Sequence, residues 1–195
     1  MKIGFDFDNT LVDYSAVFTK IAEELGIKYE NNPKNAIKYT FEKVYFNPNS
    51  WKEVQRQVYC ELINKIEPSD KLLEVINWLI EHNHDIYIIS HKTQTIKFDK
   101  LVSNLRDPAN RWIEKNIPHF KKDRIFFESS AIAKVRKIKS LKLDFFVDDL
   151  LTILNHHQFP NETKKILFNN SSIAKKNIFI ASNWDMVKQI ILENE

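Results

Sequence analysis

The chain has 195 residues, enough for one substantial core with room for a small inserted module. A hydrophobic share of 43% with 28% charged residues is that of an ordinary folded protein and excludes the disordered class. No apolar run reaches the roughly 18 residues a membrane-spanning helix needs. The net charge of +3, from 29 basic and 26 acidic residues without an arginine-rich stripe, argues against nucleic acid as a partner. One cysteine, Cys60, excludes an intrachain disulfide, and two glycines, Gly4 and Gly26, exclude both the P-loop and the G-x-G-x-x-G fingerprint.

In chain order, residues 2–12 form an apolar strand-like run that delivers Asp6 and Asp8 into a turn beginning at Asn9. Alternation along a strand puts both carboxylates on one side and Phe5 and Phe7 on the other. Residues 14–25 carry helical spacing, with Gly26 set to end the helix in a left-handed conformation. A less regular stretch, rich in Asn, Lys and aromatics, runs to residue 49, and Ser50 is expected to cap a helix over residues 51–65. The aromatic-rich part of this region, residues 39–51, suits a dimer surface, the core of an insert or a base-stacking wall equally well.

Pro68-Ser69-Asp70 announces a helix over residues 71–81, and residues 85–90 read as a buried parallel strand ending at Ser90. A long connection over residues 91–124 contains a short helix, 109–116, stopped by Pro118. Next come a strand at 124–128, a helix at 131–141 capped by Ser130, and the most apolar strand, 143–147, which ends in Asp148-Asp149. Strands at 166–168 and 178–180 and a helix at 184–192 complete the chain. The βαβ alternation predicts an α/β fold, a Rossmann-like parallel sheet with helices on both faces. We expect residues 1–13 and 69–195 to form this core and residues 14–68 a small helical cap, inserted after the first strand and placed to close over the strand ends. The amino terminus enters a strand directly, and with the lone cysteine this leads to an expected cytoplasmic location.

Ligands of open parallel sheets bind beyond the carboxyl ends of the strands, where Asp6, Asp8, Ser90, Asp148 and Asp149 all fall. Carboxylates this close need a counter-charge. Mg2+ meets that need, because it takes one or two carboxylates and leaves its other positions to water and phosphate.

The order Asp6-Phe-Asp8-Asn-Thr10-Leu11 after a hydrophobic strand resembles the first motif of the haloacid dehalogenase superfamily. Ser90 after Ile-Tyr-Ile-Ile is similar to its second motif. The stretch from Lys134 to Asp148-Asp149 looks like the third-to-fourth motif segment of deoxyribonucleotidase-like members, and the combination Ile-Ser-His-Lys-Thr with Arg-Trp-Ile-Glu-Lys-Asn resembles poorly characterised hydrolases of the superfamily. The resemblance implies that Asp6 attacks phosphorus, that Asp8 handles the leaving-group proton and lends its backbone carbonyl to the metal, and that Ser90 hydrogen-bonds the phosphoryl group.

The implied metal set is Asp6, Asp8, Asp148 and Asp149, with Asp148 the first choice as direct ligand and Asp149 acting through water or orienting a ligand. Lys134, in the first turn of its helix, is the phosphate cation, whereas Lys137 and Lys139 lie farther from the strand ends. Asn9 and Thr10 join the phosphate-binding set; the Thr10 hydroxyl either steadies the Asp side chains or caps the next helix. His91 either contacts substrate or satisfies a loop carbonyl, and Lys92 is expected to face solvent. The expected activity is a Mg2+-dependent phosphatase acting on a small phosphomonoester, of the nucleotide or sugar phosphate class, through an aspartyl-phosphate. The alternatives are a phosphate-binding or regulatory module on the same fold and a phosphomutase; a dehalogenase does not need Asp8. Neither a nucleic-acid polymer nor a membrane is expected as a partner, and the oligomeric state is left open.

Overall fold

The computed structural model describes residues 1–98, 101–169 and 177–195. Two stretches covered by the sequence reading, 99–100 in the long connection and 170–176 before the last strand, lie outside the described residues.

The chain opens with strand β1 (Lys2–Phe5) and continues through helices α1 (Ser15–Glu24), α2 (Pro33–Tyr39) and α3 (Pro48–Arg56). Helix α2 runs on into a π-helical turn, Thr40–Val44, and α3 into a second, Gln57–Leu62. Helix α4 (Leu72–Glu81) leads back to the sheet at β2 (Asp85–His91). The segment between β1 and β2 is therefore wholly helical among its regular elements. Its helix starts follow the rule that proline suits the first helical position, where no N–H is needed. Pro33 and Pro48 sit there, and the Asn32 and Asn47 side chains accept from Asn35 N and Ser50 N at 3.0 and 3.3 Å. The cap expected at Ser50 belongs to Asn47, because Pro48 starts the helix three residues earlier. Gly26 has φ 65°, as the helix-ending reading requires.

The connection after β2 is more structured than its sequence suggests. Strands β3 (Thr95–Phe98) and β4 (Leu101–Asn104) pair antiparallel as a separate two-stranded sheet, and α5 (Arg106–Asn116) begins three residues before the expected helix. Strand β5 (Ile125–Glu128), helix α6 (Ala131–Leu141), strand β6 (Phe145–Asp148), the short α7 (Leu151–Leu154), strands β7 (Lys164–Phe168) and β8 (Ile178–Ala181), and helix α8 (Trp184–Leu192) follow. Ser130 caps α6, its hydroxyl accepting from Ala133 N at 3.1 Å.

The main sheet has six strands in the order β5-β2-β1-β6-β7-β8, every neighbouring pair parallel. From β1 the chain builds outward through β2 and β5, then returns to the other side of β1 and builds outward through β6, β7 and β8. The strand order reverses between β1 and β6, and at such a switch point the connections diverge and leave a crevice at the carboxyl ends. Apolar side chains fill both faces. Phe5 packs against Trp184, with ring centroids 5.6 Å apart, and Phe7 stands edge-on to Trp112 and Phe127 at 5.7 and 5.9 Å.

Gly4, central in β1, shows how tightly β1 and β6 are packed: a Cβ there would lie 2.5 Å from Leu143 Cδ1 and 2.8 Å from Phe146 Cδ2, both side chains being buried. Gly4→Ala is expected to destabilise the protein by about 1–3 kcal/mol through overpacking, read as a lowered urea midpoint with an unchanged slope.

Candidate active site

Strand β1 ends at Phe5, so Asp6 and Asp8 stand just past it instead of on it. Asp6 N still donates to Val147 O at 2.8 Å, which holds the first carboxylate against β6. The chain then folds into a tight loop: Leu11 N and Val12 N both donate to Phe7 O, and Asn9 N donates to Val12 O at 2.8 Å. Asn9 has φ 58°, a left-handed conformation that asparagine tolerates better than most residues. This loop separates the two carboxylates that strand alternation had put together.

Asp6, Asp148 and Asp149 converge. One carboxylate oxygen from each lies within 4.8 Å of the other two. Lys134, in the first turn of α6, donates to Asp6 Oδ1 at 2.5 Å and pairs with Asp148 Oδ2 at 2.6 Å. Lys134 is 1% exposed, Asp6 4% and Asp148 0%, so these charges have almost no water to stabilise them. Asp148 Oδ1 accepts from Leu150 N at 2.9 Å, and the Asn9 side chain hydrogen-bonds Asp149.

Burial pulls the Lys134 ammonium down, but the Asp6 and Asp148 charges outweigh it and hold it above its usual range. Burial raises the Asp148 carboxyl, against the pull of Lys134. Burial, aided by Asp6 and Asp148, pushes Asp149 up to about 8. Three carboxylates facing one ammonium leave an excess of two negative charges, which a divalent cation balances. The donors are all hard oxygens, the kind Mg2+ prefers. The residues present therefore fit such an ion, with Asp6, Asp148 and Asp149 as its holders.

The Asp8 carboxylate is not among the three. Lys92 Nζ donates to both of its oxygens at 2.8 Å and the Tyr14 hydroxyl to Oδ1 at 2.9 Å. A share for Asp8 in the metal set thus rests on its backbone carbonyl alone. Lys92, expected to face solvent, is 4% exposed; its ammonium lies 5.4 and 5.0 Å from the Phe7 and Tyr59 ring centroids. Burial and the Asp8 charge push the Tyr14 hydroxyl well above its usual range. Ser90 is buried at the end of β2, one strand from Asp6, and His91 beside it is exposed. The Thr10 hydroxyl has no hydrogen-bond partner among the described residues, so it makes neither the Asp contact nor the helix cap considered for it.

A cleft of about 490 Å3 reaches this centre at Asp149; Asp6, Asp8, Ser90, Lys134 and Asp148 do not line it. The core contributes Asn9, Thr10, Asp149, Ser69 and Trp184 to its walls, and the helical segment contributes Phe18, Asn31 and Lys34. His91 does not line it.

No family model matches the chain. A Bacillus cereus protein provisionally named a nucleotidase is 24% identical over 165 residues, covering 79% of each chain. Among solved structures, a hydrolase of haloacid dehalogenase family IA, variant 3, from Entamoeba histolytica is similar with a TM-score of 0.65 at 13% identity, across 100% of this chain and 99% of that one. A predicted phosphatase from Clostridium acetobutylicum gives a TM-score of 0.64 at 15% identity, across 98% of both. The chain has the haloacid dehalogenase fold.

On this haloacid dehalogenase fold, three residues near the centre escape sequence reasoning: Tyr14, Lys34 and Lys92. Lys92 follows Ser90 by two positions, the spacing that returns a side chain to the same side of an extended segment, and that was its only signal. Tyr14 and Lys34 carried none, because tertiary folding alone brings the helical segment to the strand ends.

A raised folded-state carboxyl stabilises the protein below the unfolded pKa of about 3.8 and loses that contribution as pH climbs through the folded value. In metal-free buffer the Asp149 contribution is therefore expected to fall between about pH 4 and about pH 8. Added Mg2+ should raise the melting temperature most at the alkaline end, where the carboxylates are ionised. Melting curves at both ends, with and without Mg2+, measure this; a Mg2+ shift equal at both ends contradicts it.

Proposed function

We propose that the protein is a Mg2+-dependent phosphatase that hydrolyses a small phosphomonoester, of the nucleotide or sugar phosphate class, through an aspartyl-phosphate on Asp6. The observation that carries this reading is the buried convergence of Asp6, Asp148 and Asp149 around the Lys134 ammonium at the strand-order reversal. The names of the Bacillus cereus and Clostridium acetobutylicum relatives agree with it.

A carboxylate nucleophile needs no base, so the Asp6 oxygen not held by Lys134 attacks phosphorus directly while the bond from phosphorus to the leaving oxygen breaks. Lys134 orients Asp6 and offers positive charge to the phosphoryl oxygens. Ser90 and the unpartnered Thr10 hydroxyl supply neutral donors. Asp8 protonates the departing alcohol, then takes a proton from the water that opens the phosphoenzyme to enzyme and orthophosphate. Lys92 and Tyr14 hold its carboxyl in place for both transfers. Bound at Asp6, Asp148 and Asp149, Mg2+ supplies charge neutralisation for the carboxylates and the incoming phosphate. The helical segment, residues 14–68, acts as a cap that excludes water and discriminates among leaving groups.

Release of phosphate from an aryl phosphate, with and without Mg2+, tests the reading. Asp6→Asn should keep the fold and lose about a thousandfold or more in turnover, since it keeps the side chain's shape while removing the nucleophile and one metal charge. Wild-type-like turnover in that variant refutes the assignment. Lys134→Ala should be similarly inactive, while Lys137→Ala should retain nearly full activity, because Lys137 is partly exposed, 4.0 Å from Glu128 and against the Phe126 ring. Equal losses in the two lysine variants would place the phosphate cation elsewhere.

A further inference from the structure

The charges around the centre balance before a substrate arrives. Lys92 neutralises Asp8, while Lys134 and a divalent cation neutralise Asp6, Asp148 and Asp149. A phosphomonoester brings roughly two further negative charges at neutral pH. Lys134 and the cation meet the phosphate with their charge already shared among the carboxylates, so net neutrality needs a further cation.

Among the described residues lining the cleft, Lys34 is the only lysine or arginine. It stands in the first turn of α2, on the helical segment, and makes no ion pair among the described residues. Its ammonium is seated between two aromatic rings, 5.7 Å from the Phe18 centroid and 5.6 Å from the Tyr59 centroid. Ring faces hold a cation in place without neutralising it, so the charge remains free for an anion. Tyr59 also carries the Lys92 ammonium and packs edge-on to Tyr14, the residue bonded to Asp8, which ties this seat to the reaction centre. Burial, partly offset by the Asp8 and Asp149 charges, holds the Lys34 ammonium below its usual range, and Asp149 lines the same cleft.

We propose that Lys34 is a ligand of the phosphoryl oxygens, so that the bound phosphate bridges the helical segment and the sheet and draws the segment down over the centre. This rests on the phosphatase reading for its substrate, but it concerns binding and is testable without turnover. The shared ligand chemistry is a tetrahedral oxyanion, and inorganic phosphate is the probe.

The test is isothermal titration of inorganic phosphate into the Mg2+-loaded full chain. Lys34→Gln and Lys34→Met, which keeps the aliphatic stem against Phe18 and Tyr59, should both bind phosphate roughly ten- to a hundredfold more weakly, as expected for losing one charge-assisted hydrogen bond. Lys34→Arg should stay within a few-fold of wild type. So should Lys38→Gln, an exposed change on the same helix. Circular dichroism and melting temperature verify that each variant is folded.

Unchanged phosphate affinity in both Lys34→Gln and Lys34→Met overturns the proposal. If that affinity is unchanged while KM rises only for monoesters with a second anionic group, Lys34 reads the leaving group instead, which also overturns it. A wild-type protein that turns over no phosphomonoester but binds phosphate in a Lys34-dependent way refutes the catalytic reading and upholds this one. Absence of phosphate binding by the wild type overturns both.

Discussion

The interaction on which the rest depends is the buried contact of one ammonium with two carboxylates, Lys134 with Asp6 and Asp148. Removing three charges from water costs several kcal/mol per ion, and their mutual attraction offsets that only when the geometry is close. The contacts of 2.5 and 2.6 Å meet that condition. Three separate elements must then be held in register, because Asp6 follows β1, Asp148 ends β6 and Lys134 begins α6. Parallel pairing of β1 with β6 sets two of them, and the Ser130 cap at the start of α6 sets the third. The packing at Gly4, where an added Cβ would press on Leu143 and Phe146, lies on the same pair of strands.

A second ion pair, Lys92 with Asp8, lies beside the first but is kept apart from it. The Asn9 turn redirects the chain after Phe7, so two acids only two positions apart in sequence enter different environments. One joins a cluster short of positive charge; the other receives a lysine and a tyrosine of its own. For the proposed chemistry this division matters, since a nucleophile and a proton carrier need different surroundings to behave differently at one pH. Tyr14 and Tyr59 belong to the helical segment, so the surroundings of Asp8 are built partly by that segment. The proposed cap is in this sense part of the centre it covers.

Much of the fold was legible. Short β-branched runs separated by helical periodicity specify buried parallel strands and crossover helices, and every strand of the main sheet was read to within a few residues. The strand pair at β3 and β4 was not, because each strand is only four residues long, too short for the alternation of Thr95–Phe98 to stand out. At the start of α3 the sequence offers two caps, Ser50 and Asn47, and Pro48 at the first helical position selects Asn47. Lys92 was misread for a related reason: a lysine next to a strand end is ordinarily solvated, and only the position of Asp8, Phe7 and Tyr59 around it makes burial tolerable.

The sequence by itself determined that acidic residues gather at the carboxyl ends of parallel strands, since strand period, helix spacing and the position of Asp6, Asp8 and Asp148-Asp149 are all local properties. It also singled out Lys134 by helix geometry, because the first turn of a helix following a strand lies at that same end. The tertiary structure alone decided the partners. Which carboxylates share Lys134, which one takes Lys92, and that Lys34 faces the cleft without an ion-pair partner among the described residues depend on distances between segments far apart in the chain, and on burial that makes an unpaired charge costly. Those quantities exist only once the segments pack, so local residue patterns carry no record of them.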